Sequence, residues 1–269
     1  MVNKYEVVKN SNEPITVSRL IEGFKNIGIE EGMTLIVHSS LSSIGWVCGG
    51  AVAVIDSLIE CIGKNGNLVM PSHSGDYSEP SYWCNPSVPK EWYEAIRKEM
   101  PVFNPKITPC RGMGVIAQTF LNYDGVIRSN HPQVSFSAYG IDKEFITDNH
   151  KLDYGLSDTS PLGRLYELDA KVLLLGVPYT NNTSFHLGEY RSNCRDEYIE
   201  YAPILENGER LWKGFKELEI DSDGFEYIGK CFEKEYNVLN YKIGNANCKL
   251  FSQRECADFA TKFLSFKRS

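Results

Sequence analysis

Apolar residues at Val17, Leu20, Ile21, Phe24 and Ile27 recur three and four apart, so on a 3.6-residue period they form one stripe. The segment 16–27 therefore predicts an amphipathic helix, ended by Gly28. From Met33 to His38 the pattern changes to a nearly continuous apolar run, the signature of a buried strand. A loop of small residues then leads to an apolar helix, Ala51 to Glu60, and Gly63-Lys64-Asn65-Gly66 turns the chain into a second strand, Asn67 to Met70. Strand, helix and strand in that order make a βαβ unit, which implies parallel strands and a right-handed crossover. Ser160-Pro161 supplies a cap and a first-turn proline for a short helix, Leu162 to Leu168, ahead of a third buried strand, Lys171 to Val177.

Between the second and third strands, residues from Pro71 to Tyr139 are rich in aromatics and proline, including Tyr82, Trp83, Trp92, Phe103, Pro86 and Pro101. They read as long loops that shape a pocket. The character changes again after about residue 190. Glu206-Asn207-Gly208-Glu209 and Gly244-Asn245-Ala246-Asn247 are hairpin-type turns between alternating segments, so an antiparallel extension is expected. The acidic stretch Asp221 to Glu226 is expected to open a helix running to about Glu235, and Ser252-Gln253-Arg254-Glu255 is a capping box for a helix from Cys256 to Phe266. The expected fold is α/β: a three-layer-like core with βαβ units and a mostly parallel central sheet, plus a C-terminal antiparallel hairpin extension with helices. No repeat or linker divides the chain, so a single domain over residues 1–269 is expected.

With 269 residues and 42% hydrophobic content, the chain can bury a substantial core. No apolar stretch nears the roughly 20 residues that a spanning helix requires, and the N-terminus has no apolar signal region. A cytoplasmic location without a membrane partner is expected. The net charge of -7 argues against nucleic acid as a partner; it suits a cationic small molecule or serves solubility alone. The eight cysteines include no C-x-x-C pair and no histidine at metal-finger spacing, so they read as reduced thiols and no metal is expected.

Against that background His186 stands out, because Glu189 follows one helical turn later and both lie just beyond the third strand, where α/β proteins keep their chemistry. Three readings fit the pair: an oriented general base, a helix surface pair, or a metal pair. For the last, Tyr190 stands where an H-x-x-E-H motif needs its second histidine. The loop from His38 to Ala51 places Ser39, Ser40, Ser42, Ser43 and Gly45 ahead of Gly49-Gly50. Its backbone amides suit phosphate oxygens, or the glycines simply make a tight strand-to-helix turn. It lacks both the Gly-Lys-Ser/Thr ending of a P-loop and the spacing of a dinucleotide fingerprint. His131, before Pro132, reads equally as a pocket residue and as a partner for buried backbone groups. His38 and His73 are left open, and His150 is expected to be exposed to solvent.

Five blocks, in order, resemble the aminoglycoside 3-N-acetyltransferase family along nearly the whole chain. They are His38 to Gly45 with Gly49-Gly50-Ala51; Val69-Met70-Pro71-Ser72 with the loop that follows; and Arg128 to Pro132 with Ser135 to Gly140. Ser160 to Tyr166 is followed by Leu173 to Val177 and Asn182 to Glu189, and Asp221 to Phe225 by Phe251 to Arg254. The resemblance implies a fold distinct from the commoner N-acetyltransferase fold. It also implies transfer of acetyl from acetyl-coenzyme A to the 3-amino group of a 2-deoxystreptamine aminoglycoside, an antibiotic-resistance activity, by direct attack in a ternary complex. A member that binds coenzyme A, or acetylates a different amine with no resistance role, is the alternative.

Carried onto this chain, the resemblance places His38, Ser39, Ser40, Leu41, Ser43, Ile44, Gly45, Val47, Gly50, Ser72, Ser135 and Phe136 at the cofactor, in an N-terminal part of about residues 1–140. It makes His186 the base and Glu189 its support, in a catalytic and acceptor part of about residues 141–269. A polycationic acceptor calls for carboxylates around an aromatic-walled groove. Asp76, Glu79, Glu197, Asp221 and Asp223, with Tyr77 and Trp83 as walls, are the candidates. Each acid has an ordinary alternative: Asp221 and Asp223 suit the N-terminal end of a helix, and Glu79 decorates a loop. The expected partner is a small cationic amine, bound by a monomer or homodimer.

Overall fold

The computed structural model describes residues 4–11 and 13–266. Its first half runs through α1 (Lys4–Lys9), α2 (Val17–Ile27), β1 (Thr34–Ser39), α3 (Leu41–Ile44), α4 (Gly50–Ile62), β2 (Asn67–Pro71), α5 (Tyr93–Glu99), α6 (Gly114–Phe120), β3 (Ile127–Arg128) and β4 (Phe136–Gly140). The second half comprises α7 (Lys143–Thr147), α8 (Pro161–Glu167), β5 (Lys171–Leu175), α9 (Ser184–Ser192), β6 (Glu197–Glu206), β7 (Glu209–Leu218), α10 (Phe225–Glu235), β8 (Leu239–Ile243), β9 (Ala246–Ser252) and α11 (Gln253–Ser265).

Seven strands make one sheet in the order β3-β4-β2-β1-β5-β9-β8. The three central strands are parallel, β1 pairing with β2 on one side and β5 on the other. Antiparallel pairs continue the sheet outward on both flanks. Side chains alternate between the two faces. Leu35, Val37, Leu68, Met70, Leu173 and Leu175 meet α2, α4 and α6, whereas Ile36, Val69, Val172 and Leu174 meet α8 to α11. With helices on both faces every central position is covered, which is why these strands read as unbroken apolar runs. Leu20, Phe24 and Ile27 form the stripe of α2, each at most 2% exposed; burial of side chains this size contributes about 1.5–3 kcal/mol apiece. One step beyond Val37, the same alternation turns His38 toward the α8 to α11 layer.

The stretch from Pro71 to Tyr139, expected as loops, contains α5, α6, β3 and most of β4. In β4, Phe136 to Gly140 pairs antiparallel with Pro71 to Asn67. Its alternation of small polar and apolar residues is a strand signal, too short to stand out from the loops around it. The helix expected from Asp221 begins at Phe225, leaving Asp221 and Asp223 in the preceding loop. The last helix begins three residues before the expected Cys256, with the Ser252 hydroxyl accepting the Glu255 N–H at 3.3 Å. Both expected hairpins form. β6 and β7 stand as a separate two-stranded sheet, turned at Asn207 and Gly208, both at positive φ, while β8 and β9 join the main sheet through β5. The cysteines are all free thiols, and among the described residues no helix is long and apolar enough to cross a membrane.

Candidate active site

Helix α9 carries His186, and a glycine lets it pack closely on α11. A methyl group at Gly188 would lie 2.5 Å from Ala260 Cβ and 2.9 Å from the α11 backbone, so only glycine lets α9 and α11 pack this tightly. Phe185 and Leu187 are fully buried in the same layer. His186, between them, keeps 13% of its side chain exposed, with its ring 4.8 Å from that of Phe225.

The 186–189 spacing delivers a direct contact. His186 Nδ1 lies 2.5 Å from Glu189 Oε2, and the Glu189 side chain is fully buried. Burial of a carboxylate without partners is costly, and here the partners are present. Arg195 Nε donates to Glu189 Oε1 at 2.5 Å, and the Asp221 N–H donates to the same oxygen at 3.2 Å. Arg195 also donates to the Asp221 carbonyl at 3.1 Å, which ties the loop before α10 to the end of α9. Of the three readings of this pair, burial removes the solvated surface pair. Among the described residues no group of three or more His, Cys, Asp or Glu side chains is placed to hold a metal ion.

Sequence reasoning missed Arg195 and Glu217. Arg195 follows the helix without periodic relation to Glu189. Glu217 sits on β7, 6% exposed, and accepts the Gly155 N–H at 3.0 Å, the Leu218 N–H at 2.9 Å and the Tyr190 hydroxyl. Burial pushes its carboxyl above the usual range, and nearby His186 is among the groups pulling it back. An acid at an inward position, in phase with Phe215, was the available signal.

The loop after β1 is fastened to the neighbouring strand. Ser40 N–H donates to the Leu175 carbonyl at 3.0 Å, fastening the loop to the end of β5, and Ser43 Oγ donates to Ser40 Oγ at 2.8 Å. Gly45 and Val47 are buried, the latter bridging to Ile15, and Ile44 is fully buried. Gly49 and Gly50 take φ of +87° and +61°, and α4 starts there with no side-chain cap. A methyl group at Gly50 would meet nothing within 4 Å. The first turn of this thirteen-residue helix has no side-chain cap, although the Gly50 N–H donates to the Val47 carbonyl at 3.0 Å; an uncapped helix start suits an anionic group such as a pyrophosphate.

Three of the expected cofactor residues lie wholly inside the chain. Ser72, Ser135 and Phe136 are fully buried. Ser135 Oγ donates to the Ser72 carbonyl at 2.9 Å and accepts from Arg128 Nε at 2.8 Å, and Ser72 Oγ meets Ser137 Oγ at 2.6 Å. Ser72 and Ser135 brace one another, and Phe136 packs in the core on that face of the sheet. Arg128, 8% exposed, also bonds the Thr108 carbonyl, and burial lowers its guanidinium to about 10.

The expected acceptor acids are widely spread, and four of the five have cationic partners. Asp76 meets Arg111 at 2.5 Å, Glu197 meets Lys216 at 3.0 Å, and Asp221 meets Arg195 at 3.6 Å. Glu79 is no loop decoration: it is 4% exposed and takes both Nε and Nη2 of Arg97. Burial opposes its charge, but Arg97 and the Ser81 donors outweigh that and hold the carboxyl below its usual range. Asp223 N–H donates to Asp221 Oδ1 at 2.8 Å, an Asx turn rather than a helix cap. Trp83 donates to Ser78 Oγ at 2.8 Å, and Tyr77 packs edge-on against Phe103.

Two other histidines are structural. His131 is fully buried; its Nδ1 accepts the Gln133 and Val134 N–H groups, and its Nε2 therefore donates to the Leu152 carbonyl. His150, expected in solvent, is buried as well, bonding Ser129 Oγ at 2.9 Å and the Gly155 carbonyl at 2.7 Å. A polar stretch around it gave no hint that its ring would face inward.

An imidazole held by a buried carboxylate and an uncapped helix start after the first strand are both features of group-transfer enzymes that work on anionic co-substrates. The model of the aminoglycoside 3-N-acetyltransferase family matches residues 36–265. The SPbeta prophage-derived aminoglycoside N(3')-acetyltransferase-like protein YokD of Bacillus subtilis is 47% identical over 96% of each chain. Its crystal structure superposes with a TM-score of 0.97 over 98% of both chains. Aminoglycoside N(3)-acetyltransferase IX of Micromonospora chalcea is 30% identical over 84% of this chain and 80% of its own. The binary complex of AAC-IIIb with CoASH has a TM-score of 0.85 at 25% identity, covering 95% of this chain and 98% of the other. The chain belongs to the aminoglycoside 3-N-acetyltransferase family, whose members are acetyl-coenzyme A-dependent acyltransferases.

Proposed function

We propose that this chain transfers the acetyl group of acetyl-coenzyme A directly to the 3-amino group of a 2-deoxystreptamine aminoglycoside in a ternary complex, with His186 as general base and Glu189 as its orienting carboxylate. The observation that carries the reading is the contact between His186 Nδ1 and the buried Glu189 carboxylate. With Nδ1 committed as a donor, Nε2 is the nitrogen left to accept a proton.

Acetyl-coenzyme A supplies a thioester carbonyl carbon open to attack. An alkylammonium has no free electron pair, so it first gives up one proton to solvent, and Nε2 of His186 removes a second as the amine nitrogen bonds to that carbon. The carbon–sulfur bond breaks, and the proton held by His186 passes to the departing thiolate. Glu189 supports the transient imidazolium, and Arg195 with the Asp221 N–H keeps Glu189 in place. No covalent acetyl-enzyme is needed. Ser39 to Val47 would line the donor's pantetheine arm, with the start of α4 at Gly50 near its pyrophosphate.

The paired acids favour a second reading, in which the acceptor is an amine of lower charge. Arg111, Arg97, Lys216 and Arg195 neutralise four of the carboxylates that a polycation would use. Release of free thiol from acetyl-coenzyme A in the presence of kanamycin, tobramycin and simple diamines tests both. Turnover with the aminoglycosides supports the first reading, and turnover confined to diamines supports the second. Coenzyme A binding at micromolar concentration without turnover on any amine would overturn acetyl transfer.

A further inference from the structure

Four histidines besides His186 are wholly or largely enclosed, and they divide sharply by hydrogen bonding. Both nitrogens of His131 and His150 have partners. Nε2 of His38 and Nε2 of His73 are buried with none among the described residues. Buried polar nitrogens are nearly always satisfied, so an orphan on a rigid strand end calls for a reason. The two orphans occur on one side of the molecule. His38 ends the apolar part of β1, paired in register with Leu174, and strand alternation turns it to the face on which α9 packs. His73 follows β2, with its ring 5.4 Å from that of Phe136 in the same layer. Both lie close enough to His186 to feel its charge.

Their surroundings distinguish the two. His38 leads directly into Ser39 and Ser40, the start of the loop assigned to the acetyl donor, whereas His73 precedes the Asp76 and Tyr77 loop on the acceptor side. We propose that His38 is a further catalytic residue, whose Nε2–H donates a hydrogen bond to the carbonyl oxygen of the bound thioester and stabilises the negative charge that develops there during attack. This rests on the acetyl-transfer reading above. His186 accounts for the amine proton but leaves the carbonyl oxygen without a donor. His38, 7% exposed and fixed by a central strand, is preorganised for that task.

Protonation state agrees with the role. Burial first, and the nearby His186 second, push the His38 imidazole down to about 3. It therefore stays neutral at physiological pH and offers a hydrogen bond without competing with His186 for the amine proton. No bond to hydrogen breaks at His38 in the step.

The test is isotope-edited infrared spectroscopy of acetyl-coenzyme A labelled with carbon-13 at the thioester carbonyl, bound without acceptor to the parent protein and to His38→Phe, His38→Gln and His73→Phe. The carbonyl band should move to lower wavenumber on binding to the parent and to His73→Phe. It should return to the free position in His38→Phe and fall between in His38→Gln, whose amide retains a donor. Acceptor turnover by His38→Phe should drop about 10²- to 10³-fold, the loss expected for one oxyanion donor, with coenzyme A affinity little changed. An unshifted band in the parent despite binding, an equal shift in His38→Phe, or loss of the shift in His73→Phe alone would each overturn the proposal. Failure of the parent to bind acetyl-coenzyme A would overturn the acetyl-transfer reading as well, which separates the two failures. His38→Gln serves where His38→Phe does not fold.

Discussion

Glu189→Gln probes the dyad without changing its volume. Glu189 accepts from His186 Nδ1 and Arg195 Nε, each at 2.5 Å, and from the Asp221 N–H at 3.2 Å. A glutamine has only one acceptor oxygen. Arg195 and Asp221 both present N–H groups to the same side, so that oxygen stays with them and the new amide N–H₂ faces His186. Nδ1 must then become an acceptor, the ring proton moves to Nε2, and the nitrogen that should take the substrate proton no longer can. The carboxylate's support for the imidazolium is lost at the same time. We expect kcat to fall about 10²-fold, equivalent to about 2.7 kcal/mol, because a fraction of the rings still reaches the productive tautomer. Initial rates of thiol release at saturating acetyl-coenzyme A and acceptor, followed across pH, give kcat, while calorimetry gives coenzyme A affinity. Affinity should be little changed and the pH profile displaced. A kcat and pH profile indistinguishable from the parent's would refute the orienting role.

Two further outcomes follow from the packing and from the buried imidazoles. Gly188→Ala places a methyl group 2.5 Å from Ala260 Cβ, so α9 must lift from α11; the overpacking should cost about 1–3 kcal/mol in urea unfolding and lower kcat more than it raises KM for acetyl-coenzyme A. An unchanged midpoint would show that the helix contact is loose. Burial holds His38 and His73 at about 3 and His150 at about 4, and lowers His131 too. Unfolded, each titrates near 6.5, so below that pH the unfolded chain binds the extra protons and stability falls at about 1.4 kcal/mol per pH unit per histidine. Glu200 and Glu217, raised by burial, oppose this from about 4.5 upward without matching four histidines. Urea midpoints at pH 7 and pH 5 should therefore differ, the acid one being lower; equal midpoints would contradict the neutral burial.

The parts of the molecule legible in the sequence are those governed by local period and spacing. β1, α4, β2 and β5 were expected within one or two residues of their observed limits at most boundaries, because burial on both sheet faces leaves apolar runs that cannot be mistaken for loops. The His186–Glu189 contact followed from one helical turn. What escaped was set by tertiary packing. β4 is a strand of five residues, and its place beside β2 depends on a long-range pairing that no window of sequence contains. Arg195 supports Glu189 only because the chain doubles back after α9. Glu79 and Asp76 read as free acids since nothing local announces Arg97, eighteen residues on, or Arg111, thirty-five residues on. His150 looked solvent-exposed because its neighbours are polar, yet its ring closes a buried network with Ser129 and Gly155.

The base assignment for His186 is decided by the turnover of His186→Ala. With acetyl-coenzyme A and an accepted amine, measured beside the parent and with coenzyme A affinity determined on the same preparations, kcat should fall by about 10²- to 10⁴-fold, the range for loss of a general base. Coenzyme A affinity should stay close to the parent's. Turnover equal to the parent's would contradict the assignment outright.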